Sequence, residues 1–208
     1  MKIIPAILAK TYEEFETMVR LVEPYTDLVH LDIADGEFVS NKTIDGFEEL
    51  KKIHTELNFE IHLMIKNPEN VIDRWLETKA TRFLIHWGST DDFKNLIKKI
   101  RSENREVGGV LNPETNYNVL KSYISELDLV QFMTVDPGFQ GSPFLPEVLG
   151  KIKSFHIQYP NKAIQVDGGI HSGTVKLVSE AGADSAVLGS HIFSEGRDVG
   201  EVLDELNV

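Results

Sequence analysis

His30 and Asp32 lie in the stretch His30-Leu-Asp-Ile-Ala-Asp-Gly36, directly after the apolar pair Leu28–Val29. Alternate residues of a strand point to the same side. The two side chains therefore aim one way at the end of a predicted strand, an imidazole beside a carboxylate. Such a pair can hold a divalent metal, or move a proton with the metal's help. Taken alone, the pair reads more simply as a core histidine beside a turn-capping aspartate. Comparable residues recur downstream and reverse that preference: His62 and Met64 in Ile-His-Leu-Met, His86, Met133 ahead of Asp136-Pro-Gly-Phe-Gln-Gly141, Asp167-Gly-Gly169, and Gly189-Ser190.

The elements that must position these residues alternate along the chain. Strands are predicted at Ile3–Leu8, Asp27–Asp32, Phe59–Met64, Arg82–His86, Glu106–Leu111, Leu127–Thr134, Ala163–Val166 and Ser185–Leu188. Each is followed by apolar residues at helical spacing. In the first helix these are Phe15, Met18, Val19 and Val22, behind a capping box of Thr11 and Glu14. Asn67-Pro68 reads as a helix start, with Asn as the cap. Phe93, Leu96, Ile97 and Ile100 form another apolar face, and Val119, Leu120, Tyr123 and Ile124 a further one. Alternating strands and helices imply a parallel sheet. Eight such units in 208 residues fit one compact α/β domain over residues 1–208, a closed (β/α)8 TIM barrel. An open doubly wound sheet usually carries a glycine-rich turn after its first strand, and Leu8-Ala-Lys-Thr11 has no glycine.

In such a barrel the active site sits at the C-terminal ends of the strands, where the histidines and aspartates above fall. His54, His156 and His171 fall elsewhere and read as surface residues. Asp32 and Asp167 come from strands two and seven, nearly opposite around the ring. Two opposed carboxylates suit inversion at one carbon, one removing a proton and the other returning one to the far face. A carboxylate alone is a weak base for a proton beside a ketone, and a metal on the carbonyl oxygen stabilises the ene-diolate. His30, Asp32, His62 and Asp167 offer two nitrogen and two oxygen ligands. That set suits Zn²⁺ best and admits Fe²⁺, Mn²⁺ or Co²⁺. Gly168-Gly169 and Gly189-Ser190, after strands seven and eight, suit phosphate, because glycine lets backbone amides approach an anion. The loop Asp136–Phe144 is long for a strand–helix connection and can close over a substrate; an ordinary surface loop is its alternative.

Bulk properties narrow the field. The net charge of −12 opposes broad nucleic-acid binding, while local amides still permit an anionic small substrate. The chain has no cysteine, which fits a reducing cytoplasm. No apolar run approaches the roughly 20 residues of a membrane helix, so no membrane partner is expected.

Taken together, the motifs resemble those of the ribulose-phosphate 3-epimerase family over nearly the whole chain. The resemblance rests on residues 30–39 (His-Leu-Asp-Ile-Ala-Asp-Gly-Glu-Phe-Val) and 62–65 (His-Leu-Met-Ile) before Asn-Pro-Glu. Leu-Asn-Pro (111–113), Met-Thr-Val-Asp-Pro-Gly-Phe (133–139), Val-Asp-Gly-Gly-Ile (166–170) and Gly-Ser-His-Ile-Phe (189–193) follow in the family's order. It implies a barrel of the ribulose-phosphate-binding type and a metal-dependent isomerase of the pentose phosphate pathway acting at carbon 3 of a ketopentose phosphate. It implies His30, Asp32, His62 and Asp167 as metal ligands, with Asp32 and Asp167 as the acid–base pair. It places Met64 and Met133 around the reacting carbons, with His62 also beside the substrate. It places phosphate near Gly138, Phe139, Gln140 and Gly141, Gly168–Gly169 and Gly189–Ser190. It also implies a homo-oligomer, dimer or hexamer.

Several positions depart from the family pattern. Ala6 and Ala9 stand where polar side chains usually face the substrate, and Ala34 replaces a methionine. Gln140, Ser142 and Ser40 also differ. Each lost substrate hydrogen bond is worth roughly 0.5–1.5 kcal/mol, enough to shift the preferred sugar. The alternatives are a 3-epimerase of a ketohexose 6-phosphate such as allulose 6-phosphate, and a non-catalytic sugar-phosphate-binding barrel. A related barrel family uses Asp-x-Lys-x-x-Asp for decarboxylation or condensation; here Ala34 or Ile33 occupies the lysine slot.

Overall fold

A computed structural model describes residues 1–138, 141–193 and 198–206. Eight parallel strands close on themselves in sequence order: β1 (Lys2–Ile7), β2 (Leu28–Ala34), β3 (Asn58–Met64), β4 (Arg82–His86), β5 (Glu106–Leu111), β6 (Leu129–Met133), β7 (Ala163–Asp167) and β8 (Ser185–Leu188). β1 pairs with both β2 and β8, which shuts the ring. The expected TIM barrel is therefore the observed fold.

Around it lie α1 (Tyr12–Val22), α2 (Phe47–Lys52), α3 (Ile72–Leu76), α4 (Phe93–Ser102), α5 (Val148–Gln158), α6 (Val175–Glu180) and α7 (Val199–Glu205). The outward strand residues, such as Val29, Leu31 and Ile33, meet the inward helix faces in one large apolar layer. α4 buries Phe93, Leu96, Ile97 and Ile100, the face read from its spacing. Each such side chain contributes about 1.5–3 kcal/mol on burial. Every residue of β2 is buried, as both faces of a barrel strand require.

Four local expectations are corrected. Among the described residues no α-helix links β5 to β6; a 3₁₀ turn at Tyr117–Leu120 and further turns replace it. Asn116 accepts from the Asn118 amide there, a local bond that competes with an α-helix. The expected apolar residues still point inward, with Leu120 buried and Tyr123 against Trp87 and Phe93. At Asn67 the backbone is left-handed (φ 53°) with no side-chain cap bond, and Pro68 starts a 3₁₀ turn before α3. A residue ahead of proline avoids the right-handed helical region, and Asn tolerates the left-handed one. At α1 the Thr11 hydroxyl accepts from the Glu14 amide as expected, but Glu14 reaches back to the amide of Lys10 rather than that of Thr11. His156, read as a surface residue, is half-buried, while His54 and His171 are exposed. No helix among the described residues is long and apolar enough to cross a membrane.

The register matters most inside the ring. His30 lies level with Glu60, and Asp32 with His62, across β2 and β3. Gln131 lies level with Gln165, and Met133 with Asp167, across β6 and β7. Two polar tiers result: His30, Glu60, Gln131 and Gln165 below, and Asp32, His62, Met133 and Asp167 above, toward the strands' C-terminal ends. Apolar residues fill the remainder, including Ile4, Leu28 and Val187 on one side and Leu84, Val110 and Leu129 on the other.

One glycine tests how tightly the outer layer packs. Gly46, ahead of α2, has φ +83°, and an added Cβ would stand 2.5 Å from the Trp75 ring and 2.8 Å from Ile33. Gly46→Ala is expected to destabilise the fold by about 1–3 kcal/mol through overpacking and a strained φ, read as a lower urea midpoint. An unchanged midpoint would show that this layer yields easily.

Candidate active site

The upper tier opens on a cavity at the C-terminal end of the barrel. Its wall includes Asp32, His62, Met64, Met133, Gly138, Gly141, Asp167, Gly168, Gly169, Gly189 and Ser190. The structure thus brings together every substrate-side residue expected from the sequence except Phe139 and Gln140, which lie outside the described residues. His30 sits one tier lower and does not reach the cavity wall.

Four groups converge at the floor. One atom each from His30, Asp32, His62 and Asp167 lies within 4.8 Å of the others. His62 Nδ1 is 2.8 Å from Asp32 Oδ1 and 3.4 Å from Asp167 Oδ2. His30 Nε2 is 3.2 Å from Asp32 Oδ1 and 3.7 Å from Asp167 Oδ2. Donors about 2.0–2.1 Å from a tetrahedral ion are spaced roughly 3.3 Å apart. The four measured spacings, 2.8 to 3.7 Å, bracket that edge. The imidazoles are fully buried, whereas Asp32 and Asp167 keep 7% and 8% exposure. Of the four, only the two carboxylates keep any exposure toward the cavity, where they can exchange protons with a bound molecule.

Hydrogen bonds behind the imidazoles set which nitrogen faces the centre. His30 Nδ1 donates to Glu60 Oε1 at 2.7 Å, and its Nε2, aimed at the two aspartates, has no hydrogen-bond partner. His86 Nδ1 donates to Asn112 Oδ1 at 2.9 Å. His86 Nε2 then accepts from His62 Nε2, 2.8 Å away, which turns His62 Nδ1 toward the cluster, 2.8 Å from Asp32 Oδ1. Burial, then the neighbouring His62 charge, hold the His86 pKa well below the usual histidine range, consistent with this neutral acceptor. The orphaned His30 Nε2 and the His62 Nδ1 that faces the same two carboxylates fit a divalent cation.

Electrostatics point the same way. Burial lowers the His30 pKa, but the close Asp32 carboxylate, the hydrogen bond to Glu60 and the charge of Asp167 raise it well above the ordinary value. The site attracts positive charge, whether a proton or a metal. Burial raises the pKa of Asp32, yet hydrogen bonds and charge from His30 and His62 hold it well below the carboxylate range. Asp167 is pushed up to about 6, first by burial and then by Asp32 and Glu60 against the pull of the histidines.

The glycine turns line the other end of the cavity. Gly168 and Gly169 have φ of +109° and +64°, and a Cβ on Gly169 would stand 2.8 Å from the Phe144 backbone. The Thr174 hydroxyl donates to the Gly169 carbonyl at 2.9 Å and pins that turn. After β8, the Gly189 carbonyl accepts from the Ile192 and Phe193 amides, which makes a turn of the described residues 189–193. Of the three alanine departures, only Ala6 lines the cavity. Ala9 is buried in the outer apolar layer, with Leu8 on the wall in its stead. Ala34 packs with Val39 and Met64. The expectation that position 9 faces the substrate is thereby corrected.

Glu60, Gln131, Gln165 and Asn112 were missed as site residues. For Glu60, Gln131 and Gln165 the available signal was a lone polar residue within an apolar parallel strand, where both faces are covered; Asn112 stood in the Leu-Asn-Pro motif just past β5.

These elements define a parallel (β/α)8 barrel whose buried two-histidine, two-aspartate cluster opens on a glycine-lined cavity. The model of the Ribulose-phosphate 3 epimerase family matches residues 2–193. A ribulose-phosphate 3-epimerase of Schizosaccharomyces pombe is 34% identical over 197 residues, covering 92% of this chain and 86% of that one. A ribulose-phosphate 3-epimerase of Bacillus subtilis is 34% identical over 203 residues, covering 94% and 93%. A solved 3-hexulose-6-phosphate synthase shares the fold at 19% identity, with a TM-score of 0.74 over 99% of this chain and 98% of that one. The chain belongs to the ribulose-phosphate 3-epimerase family.

Two outcomes are expected of the cluster. His62→Ala lowers bound metal, read by elemental analysis of the purified protein; unchanged stoichiometry removes His62 from the ligand set. In chelator-treated protein, Asp167→Asn is expected to raise stability at pH 8 by on the order of 1–3 kcal/mol. The folded pKa of Asp167, about 6, lies above its ordinary value near 3.8, so ionisation opposes folding. The gain should be complete above pH 6 and vanish below about pH 4. A pH-independent difference in urea midpoints would contradict this.

Proposed function

We propose that this chain is a metal-dependent epimerase inverting carbon 3 of a ketopentose phosphate, interconverting D-ribulose 5-phosphate and D-xylulose 5-phosphate. The observation that carries the reading is the pairing of Asp32 and Asp167. They arrive from β2 and β7, three strands apart in the ring, and both meet one cavity. Their environments push their proton affinities in opposite directions, the pattern of an acid and a base. Asp32 takes the carbon 3 proton from one face and Asp167 gives a proton to the other; the reverse reaction exchanges these roles. When bound, a divalent cation held by His30, Asp32, His62 and Asp167 supplies Lewis-acid stabilisation of the charge that develops on the substrate oxygens. Zn²⁺ suits this donor set, and Fe²⁺, Mn²⁺ and Co²⁺ also fit it.

Met64 and Met133 offer thioether walls that pack against the sugar carbons. The turns at Gly168–Gly169 and Gly189–Ser190, with Gly138, Phe139, Gln140 and Gly141, receive the phosphate through backbone amides. The proposal includes a homo-oligomer, dimer or hexamer. It also includes a cytoplasmic place in pentose phosphate metabolism; a rice relative, 34% identical, is named a cytoplasmic isoform. A second reading, a 3-epimerase of a ketohexose 6-phosphate, is favoured by Ala6, whose methyl on the cavity wall offers a sugar hydroxyl no partner.

Asp32→Asn and Asp167→Asn are each expected to lower kcat by roughly 10²–10⁴-fold or more, with the fold retained by circular dichroism. Near-normal turnover in either variant rules out the two-carboxylate mechanism. Parallel assays on ribulose 5-phosphate and allulose 6-phosphate decide the sugar: the larger kcat/KM is expected for the pentose, and the reverse order replaces the first reading by the second.

A further inference from the structure

Glu60 is fully buried inside the barrel, yet it belongs to neither the cluster nor the cavity wall. Its two oxygens do different work. Oε2 accepts from Arg82 at 2.7 Å, and Arg82 also pairs with Glu106 at the opposite end of the barrel from the cavity. Oε1 faces the site and accepts twice, from His30 Nδ1 at 2.7 Å and from Gln165 Nε2 at 2.6 Å. The Gln165 amide donates onward to Gln131 Oε1 at 2.9 Å, and Gln131 Nε2 donates to Asp167 Oδ2 at 3.1 Å. The Ser185 hydroxyl occupies Gln165 Oε1, which fixes that amide's orientation. The remaining contact of Gln131 Nε2 is Met133 Sδ at 3.5 Å. Every link has a defined donor and acceptor, and Glu60, His30, Gln165, Gln131 and Asp167 are all buried in one tier or the next.

We propose that Glu60 is the positioning residue of the metal site, orienting His30 directly and Asp167 through Gln165 and Gln131. The assignment rests on the metal reading of the cluster. A buried ion pair with Arg82 alone explains only one oxygen of Glu60; the other is spent on the site. A carboxylate in a barrel interior is costly to bury, and apolar residues of similar volume serve stability as well or better. A carboxylate behind a ligating histidine keeps the outer nitrogen protonated and the inner one bare, and strengthens the imidazole as a ligand. The amide relay does the complementary task for Asp167. It presents an N–H to one oxygen, so that the carboxylate holds one rotamer beside His30 rather than swinging into the cavity. One buried charge therefore braces ligands on β2 and β7, elements that do not touch in the sheet.

The test uses full-length protein at one pH, loaded with Zn²⁺. Affinity is read by competition with a chromophoric chelator, and the His30 Nδ1–H proton by NMR of the ¹⁵N-labelled zinc form. Glu60→Met is expected to weaken zinc binding about 10–100-fold and to abolish the downfield Nδ1–H resonance. Gln131→Met should weaken zinc binding by a smaller factor while leaving that resonance in place, a split that a general loss of packing would not produce. Wild-type affinity in both variants overturns the assignment while leaving the metal reading intact. Failure of the wild type itself to bind zinc, iron, manganese or cobalt overturns the metal reading and the assignment with it. If Glu60→Met does not fold, Gln131→Met decides: unchanged affinity there overturns the relay, and reduced affinity with the resonance retained upholds it.

Discussion

Three buried carboxylates, Glu60, Asp32 and Asp167, surround the His30 imidazole inside the barrel. So much negative charge in a low-dielectric interior requires compensation. Arg82 supplies it to Glu60 from the barrel end away from the cavity. Among the described residues no lysine or arginine serves Asp32 and Asp167, which face the two imidazoles instead. The interior is thus built to attract a cation, and much of its remaining polar architecture can be understood as support for that requirement. His86 and Asn112 set the His62 tautomer, and Glu60 sets that of His30. Both imidazoles then turn a nitrogen toward the same point.

The closed sheet makes this possible. In a parallel barrel each strand end contributes one or two inward side chains at nearly one height, so residues far apart in sequence share a tier. Residues 32, 62 and 167 meet only because β2 pairs with β3 in register and β7 lies three strands away around a shut ring. The helices contribute indirectly, by covering the outer faces of the strands with Phe, Leu, Ile and Val. The turns after β7 and β8 complete the cavity with backbone rather than side chains, and Gly169 lies where any Cβ would meet the Phe144 backbone.

Much of this was legible in the sequence because barrels obey short-range rules. Alternating strand and helix patterns gave the fold, and the histidines and aspartates at strand ends gave the cluster. What escaped was what depends on register. Glu60, Gln131 and Gln165 each stand singly among apolar residues, a pattern that marks a solvent face in open sheets and an interior face here. Ala9 was assigned to the substrate side, although it falls beyond the end of β1, where the chain turns outward into the apolar layer. The segment after β5 kept its apolar spacing but not its helix, since Asn116 satisfies local amides by itself. Side-chain direction at strand ends, and hydrogen bonds between distant strands, are set by closure of the ring rather than by neighbours in the chain.

The central claim is that Asp32 and Asp167 move protons at carbon 3 of a pentose phosphate with the help of a metal. It is tested most directly by incubating metal-loaded protein with D-ribulose 5-phosphate in D₂O and following carbon 3 by NMR, beside a chelated control. The account predicts deuterium at carbon 3 together with xylulose 5-phosphate, both lost on chelation. Metal-loaded protein that neither exchanges that proton nor forms the epimer, or exchange that survives removal of the metal, would contradict it.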